Sequence, residues 1–244
     1  MSLEGASVLV TGGTRGIGLA IAHRLVRDGA TRAVLGYLRN DDAAETAAAE
    51  IRGTGAKVDL VRGNVAAEST VGKLAAAGPY RVVVHNAATG VIRPALETED
   101  KHWDWTLNAN ARSLLALARA TAPAMERGSA IVAISSLGAG RVLDNYVLIG
   151  TSKAALEAVV RYLGVELAPR GVRVNAVSAG VVETEALDWF PNKDAMLATV
   201  DRTPAGRLVE PADVAAAVSF LCSGDAAMVC GQTLVVDGGF SLKA

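Results

Sequence analysis

Residues 11–18 read TGGTRGIG, and this stretch decides which fold the rest of the sequence can adopt. It follows a short apolar run and precedes a segment whose apolar residues recur at helical spacing, so it is a strand-to-helix turn. Gly12, Gly16 and Gly18 allow a tight turn, close approach of a pyrophosphate to the backbone, and close helix packing. The alternative is an ordinary glycine-rich turn. The residues that we predict to bind a dinucleotide here are Gly12, Thr14, Arg15, Gly16, Ile17 and Gly18.

Outward from this turn, strands and helices alternate along the whole chain. The predicted strands are mostly continuous apolar runs, which is typical of a parallel sheet covered on both faces. We therefore predict an α/β, Rossmann-type doubly wound fold: a seven-stranded parallel sheet with helices on both faces, in a single domain over residues 1–244. The predicted strands are residues 6–11, 31–38, 57–62, 81–85, 130–135, 172–177 and 233–236.

Helical patterns fill the intervals between the strands. One long helix is predicted over residues 101–125, another begins at 145, and the helix over 41–53 has Asp41 or Asp42 as its N-cap. The longest irregular stretch is 180–210. Because so long a connection in a compact domain is usually functional, we predict a substrate lid over about residues 184–209.

Composition excludes several classes of function. The chain has 244 residues and a formal net charge of −1, which gives no reason to expect nucleic acid or an anionic membrane as a partner. No secretory leader and no apolar run of about 20 residues is visible. Two cysteines and three histidines without ligand spacing predict no metal site and no disulfide framework. We expect reduced thiols and a cytoplasmic protein.

The end of the second strand indicates which dinucleotide binds. Sites for NAD usually carry an acid there, but this chain has Gly36 and Tyr37. Arg15 in the glycine turn and Arg39 after the strand would suit the 2′-phosphate of NADP, so we predict NADPH; the alternative is that both arginines are merely solvated. Further cofactor contacts are predicted where the third and fourth strands end, at Asn64, Val65, Asn86, Ala87 and Ala88.

The helix over residues 145–162, NYVLIGTSKAALEAVVRY, carries two polar side chains near its start. Tyr146 and Lys153 are seven residues apart, so they share one face and lie about 10 Å apart along the axis. Ile149 stands between them, four residues before the lysine.

Together these segments resemble the short-chain dehydrogenase/reductase family. The motifs are TGGTRGIG, GNV, HNAA, the ISS of residues 134–136, the lysine helix, NAVSAGVVET from 175, and VVDGG from 235. The resemblance implies that Lys153 binds the nicotinamide ribose and lowers the pKa of a nearby tyrosine. It also implies that Ser136 contacts the substrate carbonyl and that Asn110 helps carry a proton relay; alternatively, Asn110 is a satisfied polar group in a helix. The cofactor residues implied near the sixth strand are Gly180, Val182 and Thr184.

One departure from the family matters most. The usual tyrosine lies four residues before the lysine and 13 after the serine, and that residue here is Ile149. Tyrosine seven residues before the lysine is the arrangement of the bacterial enoyl-acyl-carrier-protein reductases, and SLGAGRVLDNY and SKAALEAVVRYLGVEL also look like theirs. Because the glycine turn is unaltered, the chain is most similar to their NADPH-using class III. The resemblance implies a homotetramer and a substrate on acyl carrier protein.

The displaced tyrosine makes chemical sense for reduction of a carbon–carbon double bond. In a ketone, hydride adds to the carbon that bears the oxygen, whereas in an enoyl thioester it adds to C3 and charge develops on the thioester oxygen. Moving the tyrosine by three residues shifts it roughly 4.5 Å along the helix. We therefore predict NADPH-dependent reduction of the C2=C3 bond of trans-2-enoyl thioesters on acyl carrier protein or CoA, in fatty acid or polyketide-type biosynthesis.

Alternatives remain at this stage. The chain could be a 3-oxoacyl or ketone reductase with a displaced tyrosine, or a non-catalytic NADP-binding homologue. Trp189 and Phe190 in the long connection are predicted to wall an acyl-chain pocket. Arg202 and Arg207 could meet an acidic carrier protein, or lie in a solvated loop.

Overall fold

The computed structural model describes residues 3–184, 187 and 193–243. Seven parallel strands form one sheet in the order β3-β2-β1-β4-β5-β6-β7. The strands are β1 Ser7–Thr11, β2 Arg32–Tyr37, β3 Lys57–Arg62, β4 Val82–His85, β5 Ala130–Ser136, β6 Arg173–Ala179 and β7 Thr233–Val236. The predicted doubly wound sheet is confirmed, with strand boundaries that differ by at most two residues.

Helices cover both faces of the sheet. They are α1 Gly16–Arg27, α2 Asp41–Arg52, α3 Glu68–Ala76, α4 Asp100–Leu107, α5 Ser113–Thr121, α6 Val147–Leu167, α7 Lys193–Leu197 and α8 Pro211–Cys222. Apolar residues of α1, α2 and α8 form one buried cluster with the sheet, and those of α3, α5 and α6 form the other. Alternate residues of each central strand join opposite clusters: Val8 and Val10 face the first, and Leu9 faces the second.

This topology fixes where a ligand can bind. From β1 the strands are added in one direction to β3 and then in the other direction from β4 to β7, so the strand order reverses between β1 and β4. In an open parallel sheet, ligands bind at that switch point, outside the carboxyl ends of the strands. The glycine turn lies at the end of β1, and β4 ends at His85 beside it.

Three local predictions were wrong. Residues 101–125 do not form one helix, because a π-helical turn, Asn108–Arg112, separates α4 from α5. The N-cap of α2 is Asn40, whose side chain accepts from the backbone N–H of Ala43 at 3.0 Å. The stretch predicted as irregular contains α7 and a 3₁₀ turn, Ala198–Arg202.

Parts of the predicted lid, including Trp189 and Phe190, lie outside the described residues. Across the described residues, none of the helices has the length and hydropathy that a membrane span requires.

Candidate active site

In the turn between β1 and α1, glycines occupy positions where a side chain would be strained or would clash. Gly12 and Gly16 have φ of +64° and +51°, which favours glycine. A Cβ on Gly18 would overlap the carbonyl oxygen of Gly12. Within the same turn Thr14 is buried, and Ile17 packs against the apolar cluster under the sheet. The backbone is therefore bare where a pyrophosphate would approach.

The N-terminus of α1 suits the same anion. Arg15 occupies its N-cap position without a side-chain cap, and the first turn contains no acidic residue. Free N–H groups and the positive end of the helix dipole therefore face the turn. These features fit a dinucleotide pyrophosphate.

The end of β4 is fastened to the glycine turn by the residues predicted there. The side chain of Asn86 donates to the carbonyls of Thr11 and Gly12, both at 3.0 Å. The backbone N–H groups of Asn86 and Ala87 donate to the hydroxyl of Thr11, both at 3.0 Å. Ala88 follows with an exposed side chain. This role of Thr11 was not predicted, because its only signal in the sequence is a hydroxyl at a strand end.

A carboxylate that was predicted as a helix N-cap, that of Asp41, lies near the end of β2. Asp41, the first residue of α2, accepts from the hydroxyl of Tyr37 at 2.8 Å and pairs with Arg62 at 3.0 Å. This hydrogen bond is the main cause of a raised pKa for Tyr37. Arg62 and Tyr37 are the hydrogen-bonding partners of the Asp41 carboxylate. The exposed side chain of Arg39 can therefore bind an anionic ligand.

Residues after β3 and β6 complete the rim. The side chain of Asn64 accepts from the N–H of Ala66 at 3.0 Å and is exposed, with Val65 partly buried beside it. After β6, the N–H of Gly180 donates to Val236 at 2.9 Å, and Val182 forms a bridge with Val209.

Thr184 brings the β6 end to the glycine turn. Its methyl carbon lies 3.4 Å from the position that a Cβ on Gly16 would occupy. Residues separated by most of the chain therefore meet around one cleft, as the sequence predicted.

Asn110 lies in the π-helical turn, completely buried. Its side chain donates to the carbonyl of Thr89 and to the hydroxyl of Ser152, and accepts from the N–H of Thr89, each at 2.8 Å. It therefore ties the loop after β4 to α6. Such π turns occur often at functional sites because they re-aim a side chain. Ser152, one residue before the lysine, is a partner that the sequence analysis did not identify.

Tyr146 precedes the first turn of α6 as its N-cap residue, and its carbonyl accepts the first helical hydrogen bond from Gly150 at 2.7 Å. Its hydroxyl donates to the hydroxyl of Ser136, the last residue of β5, at 3.4 Å. Lys153 lies further along α6, 5% exposed, and its ammonium donates to the carbonyl of Ile134 at 2.7 Å. The predicted serine, tyrosine and lysine therefore converge at the carboxyl end of β5.

The electrostatics of this group differ from what the resemblance implied. Burial raises the pKa of Tyr146, and the hydrogen bond with Ser136 opposes that rise only in part. Burial also lowers the pKa of Lys153 to about 8, while the charge of Glu157 acts in the opposite direction. The expectation that Lys153 lowers the tyrosine's pKa is therefore wrong for this structure: Tyr146 is a neutral O–H donor at pH 7.

Two glycines accommodate the unusual arrangement. A Cβ on Gly138 would lie 2.6 Å from two ring carbons of Tyr146, so only glycine leaves room for the ring there. Ile149 is buried against Gly90, where a Cβ would overlap its side chain. An apolar side chain therefore fills the space beside the loop after β4, and it has no proton to donate.

The histidines have structural surroundings, as expected. His85 is completely buried at the end of β4 and hydrogen-bonds through Nε2 to the hydroxyl of Ser113 at 2.6 Å. Burial lowers the pKa of His85 to about 3, so it is neutral. His23 contacts Glu50 at 3.3 Å, and His102 accepts from the N–H of Glu99. The described part of the chain contains no cluster of three or more potential metal ligands.

The two arginines considered for a carrier protein make internal contacts. Arg207 pairs with both carboxylate oxygens of Asp213, at 2.6 and 2.8 Å. Arg202 lies over the ring of Phe240, 5.5 Å from its centre. Neither contact favours a docking role for these side chains.

Known proteins with similar sequences indicate the same family as the motifs in the sequence. A family model described as "Enoyl-(Acyl carrier protein) reductase" matches residues 12–241. A relative named 1-cyclohexenylcarbonyl-CoA reductase, from Streptomyces collinus, is 36% identical over 97% of this chain and 87% of its own length. L-xylulose reductase from Mesocricetus auratus is 34% identical over 98% of both chains.

Solved structures show the same fold. A short chain dehydrogenase from Burkholderia cenocepacia, crystallised in complex with NADP, superposes with a TM-score of 0.90 at 31% identity, covering 99% of this chain and 100% of the other. With the family model, the relatives and the site geometry in agreement, the chain belongs to the short-chain dehydrogenase/reductase family, in the group that the enoyl-(acyl carrier protein) reductase model describes.

Proposed function

We propose that this protein reduces the C2=C3 double bond of trans-2-enoyl thioesters with NADPH. The observation that carries the proposal is the pair of positions on α6. Ile149, where ketone-reducing relatives would carry the proton donor, is buried against Gly90. The hydroxyl of Tyr146, seven residues before Lys153, is instead hydrogen-bonded to the hydroxyl of Ser136.

NADPH as the cofactor is supported by this chain's own residues. The bare glycine turn and the uncapped N-terminus of α1 suit a pyrophosphate, and Arg15 and Arg39 suit a 2′-phosphate. Solved neighbours at 28–31% identity include proteins crystallised with NADP or NADPH. When bound, NADPH supplies a hydride.

The chain's residues supply the electrostatics of the reaction. Reduction adds a hydride at C3 and a proton, taken from solvent, at C2, and negative charge develops on the thioester oxygen between the two additions. Tyr146 is protonated at pH 7, and burial raises its pKa further, so it donates a hydrogen bond to that oxygen, as an oxyanion-hole donor does. With the phenol O–H turned from Ser136 to the substrate, the hydroxyl of Ser136 donates in turn to the phenol oxygen and holds it in place. Lys153 contributes positive charge and a donor for the cofactor ribose.

A thioester substrate is supported by the relative from Streptomyces collinus, whose name states that it reduces a cyclohexenylcarbonyl-CoA. The acyl group in the present case is carried on acyl carrier protein or CoA. Such a reaction belongs to fatty acid or polyketide-type biosynthesis in the cytoplasm.

Reduction of a ketone is the second candidate, favoured by the L-xylulose and D-erythrulose reductases among the relatives. It would need a proton donor within hydrogen-bond reach of the oxygen on the carbon that accepts the hydride. Ile149 cannot supply one, so we rank this function below enoyl reduction.

The deciding experiment follows NADPH oxidation with crotonyl-CoA and acetoacetyl-CoA, in the wild type and in Tyr146→Phe. We expect selective use of the crotonyl thioester, and a fall in kcat of about 10²-fold to 10³-fold in the variant. Tyr162→Phe is the matched control, because Tyr162 lies on the same helix and is 73% exposed. Full crotonyl reductase activity in Tyr146→Phe, or selective use of the acetoacetyl thioester, would overturn the proposal.

We also propose a homotetramer. The helical segments through which the family assembles carry exposed apolar side chains: Trp103, Trp105 and Leu115 before β5, and Val165 on α6. Sedimentation velocity should give about four times the chain mass of 25.0 kDa. A species of one chain mass at micromolar concentration would contradict this.

A further inference from the structure

Two neighbouring residues at the end of β5 each contact α6. Ile134 accepts from the ammonium of Lys153 at 2.7 Å. Ser135, 5% exposed, donates from its hydroxyl to the carboxylate of Glu157 at 2.6 Å. Because Glu157 follows Lys153 by four residues, the two side chains lie on one face of the helix. One strand end therefore fixes both a cation and an anion.

The carboxylate of Glu157 is held there by the sheet and is not left to solvent. Ile131, Ala133 and Ser135 alternate along β5 toward the face that α6 covers, the first two within the apolar cluster. The hydroxyl of Ser135 therefore points directly at α6. Glu157 is partly buried, so its charge is less screened than that of a surface residue.

The other polar groups around Lys153 do not supply a compensating charge. His85, which faces it from β4, is neutral and buried. Tyr146, Ser152 and Asn110 are also neutral. Arg112 and Arg161, on neighbouring turns, are exposed. Glu157 is thus the group whose negative charge offsets the cost of burying the ammonium.

We propose that Glu157 is a positioning residue that keeps Lys153 protonated, and that Ser135 fixes the carboxylate for this purpose. The inference rests on the role of Lys153 in the proposed function. A neutral lysine would neither bind the ribose hydroxyls as a cation nor support the developing oxyanion. Without the carboxylate, the site should therefore fail at a lower pH than in the wild type.

The test is the pH dependence of Glu157→Gln, which removes the charge but keeps the size and an acceptor for Ser135. Two quantities are measured from pH 6 to pH 10: the Kd for NADPH, by fluorescence, and kcat/KM with crotonyl-CoA. We expect the alkaline limb of both to move to lower pH by about half a unit. At pH 8 this corresponds to about a twofold loss relative to the wild type.

Two variants separate charge from structure. Glu157→Asp keeps the charge and should restore the wild-type pH profile. Glu166→Gln removes a carboxylate from an exposed position on the same helix and should leave the profile unchanged. If the profile of folded Glu157→Gln superposes on that of the wild type, or if Glu157→Asp shifts it equally, the inference is wrong.

The two measurements also keep the inference distinct from the proposed function. If crotonyl-CoA is not reduced but the limb for NADPH binding moves in Glu157→Gln, the enoyl reductase proposal fails and the role of Glu157 stands. If crotonyl-CoA is reduced and neither limb moves, the enoyl reductase proposal stands and the role of Glu157 is wrong.

Discussion

Lys153→Met should make the protein more stable at pH 7 while it removes activity. Lys153 is 5% exposed, and burial lowers its pKa from its ordinary value of 10.5 to about 8. At about 1.4 kcal/mol per pKa unit, keeping this side chain charged at pH 7 costs the folded state about 3 kcal/mol. Methionine has a similar length and carries no charge.

The hydrogen bond to the carbonyl of Ile134 is lost in the variant, which offsets about 1 kcal/mol of that gain. The free energy of unfolding at pH 7 should therefore rise by about 2 kcal/mol, which for a chain of this size corresponds to a Tm increase of roughly 4–8 °C. NADPH binding should weaken, since the ammonium that we assign to the ribose is gone.

The pH dependence makes this prediction specific. Below pH 8 the lysine is protonated in both the folded and the unfolded chain, so the wild type carries the full cost. Between pH 8 and 10.5 the unfolded chain binds more protons, so the stability of the wild type rises with pH. Near pH 10.5 most of the cost has disappeared, and Lys153→Met should be no more stable than the wild type.

The assay is urea denaturation of both proteins at pH 7 and pH 10.5, at one protein concentration. Lys73→Met is the control, because Lys73 is exposed on α3 and should change stability by no more than about 0.5 kcal/mol at either pH. If Lys153→Met is less stable than the wild type at pH 7, or if the difference between them does not change with pH, the reasoning from burial is refuted.

Three further changes test other parts of the structure. Gly138→Ala should push the ring of Tyr146 aside and lower kcat about tenfold or more with the NADPH Kd unchanged, whereas Gly140→Ala, where a Cβ meets no atom within 4 Å, should have no effect. Arg39→Ala should weaken NADPH binding about tenfold without changing NADH binding, as titrations with each nucleotide would reveal. Arg173→Met should lower the free energy of unfolding by about 3 kcal/mol in urea denaturation, because this nearly buried side chain donates to four carbonyls at the end of α8 and in the turn that follows it.

Much of the fold was predictable from local sequence. Strands buried on both faces must be apolar runs, and the glycine turn needs residues without a Cβ, so both leave a direct trace in the sequence. The strand over Lys57–Arg62 and the one over Thr233–Val236 were predicted to the residue. The convergence of Asn86, Gly12 and Thr184 followed from the rule that parallel strands end at one edge.

Local signals failed where a distant contact decides the outcome. Residues 101–125 have continuous helical spacing, which predicted a single helix. Asn110, buried against Thr89 and Ser152, lies instead in a π turn, and hydrophobic periodicity cannot indicate such a turn. Asp41 has the right chemistry for an N-cap, yet Tyr37 and Arg62 hold its carboxylate, and Asn40 takes the cap.

The doubly wound sheet and the cofactor turn could be predicted from the amino-acid sequence, and so could a tyrosine at position 146 in place of the usual position 149. Each of these features depends on residue type and spacing along one or two elements. Tertiary structure alone decided the protonation of the site and the seating of its side chains. Burial raises the pKa of Tyr146 and lowers that of Lys153, and it is the packing of α6 on β5 that brings Glu157 to Ser135. Desolvation and through-space charge depend on which residues surround a group in three dimensions, and sequence separation does not specify those neighbours.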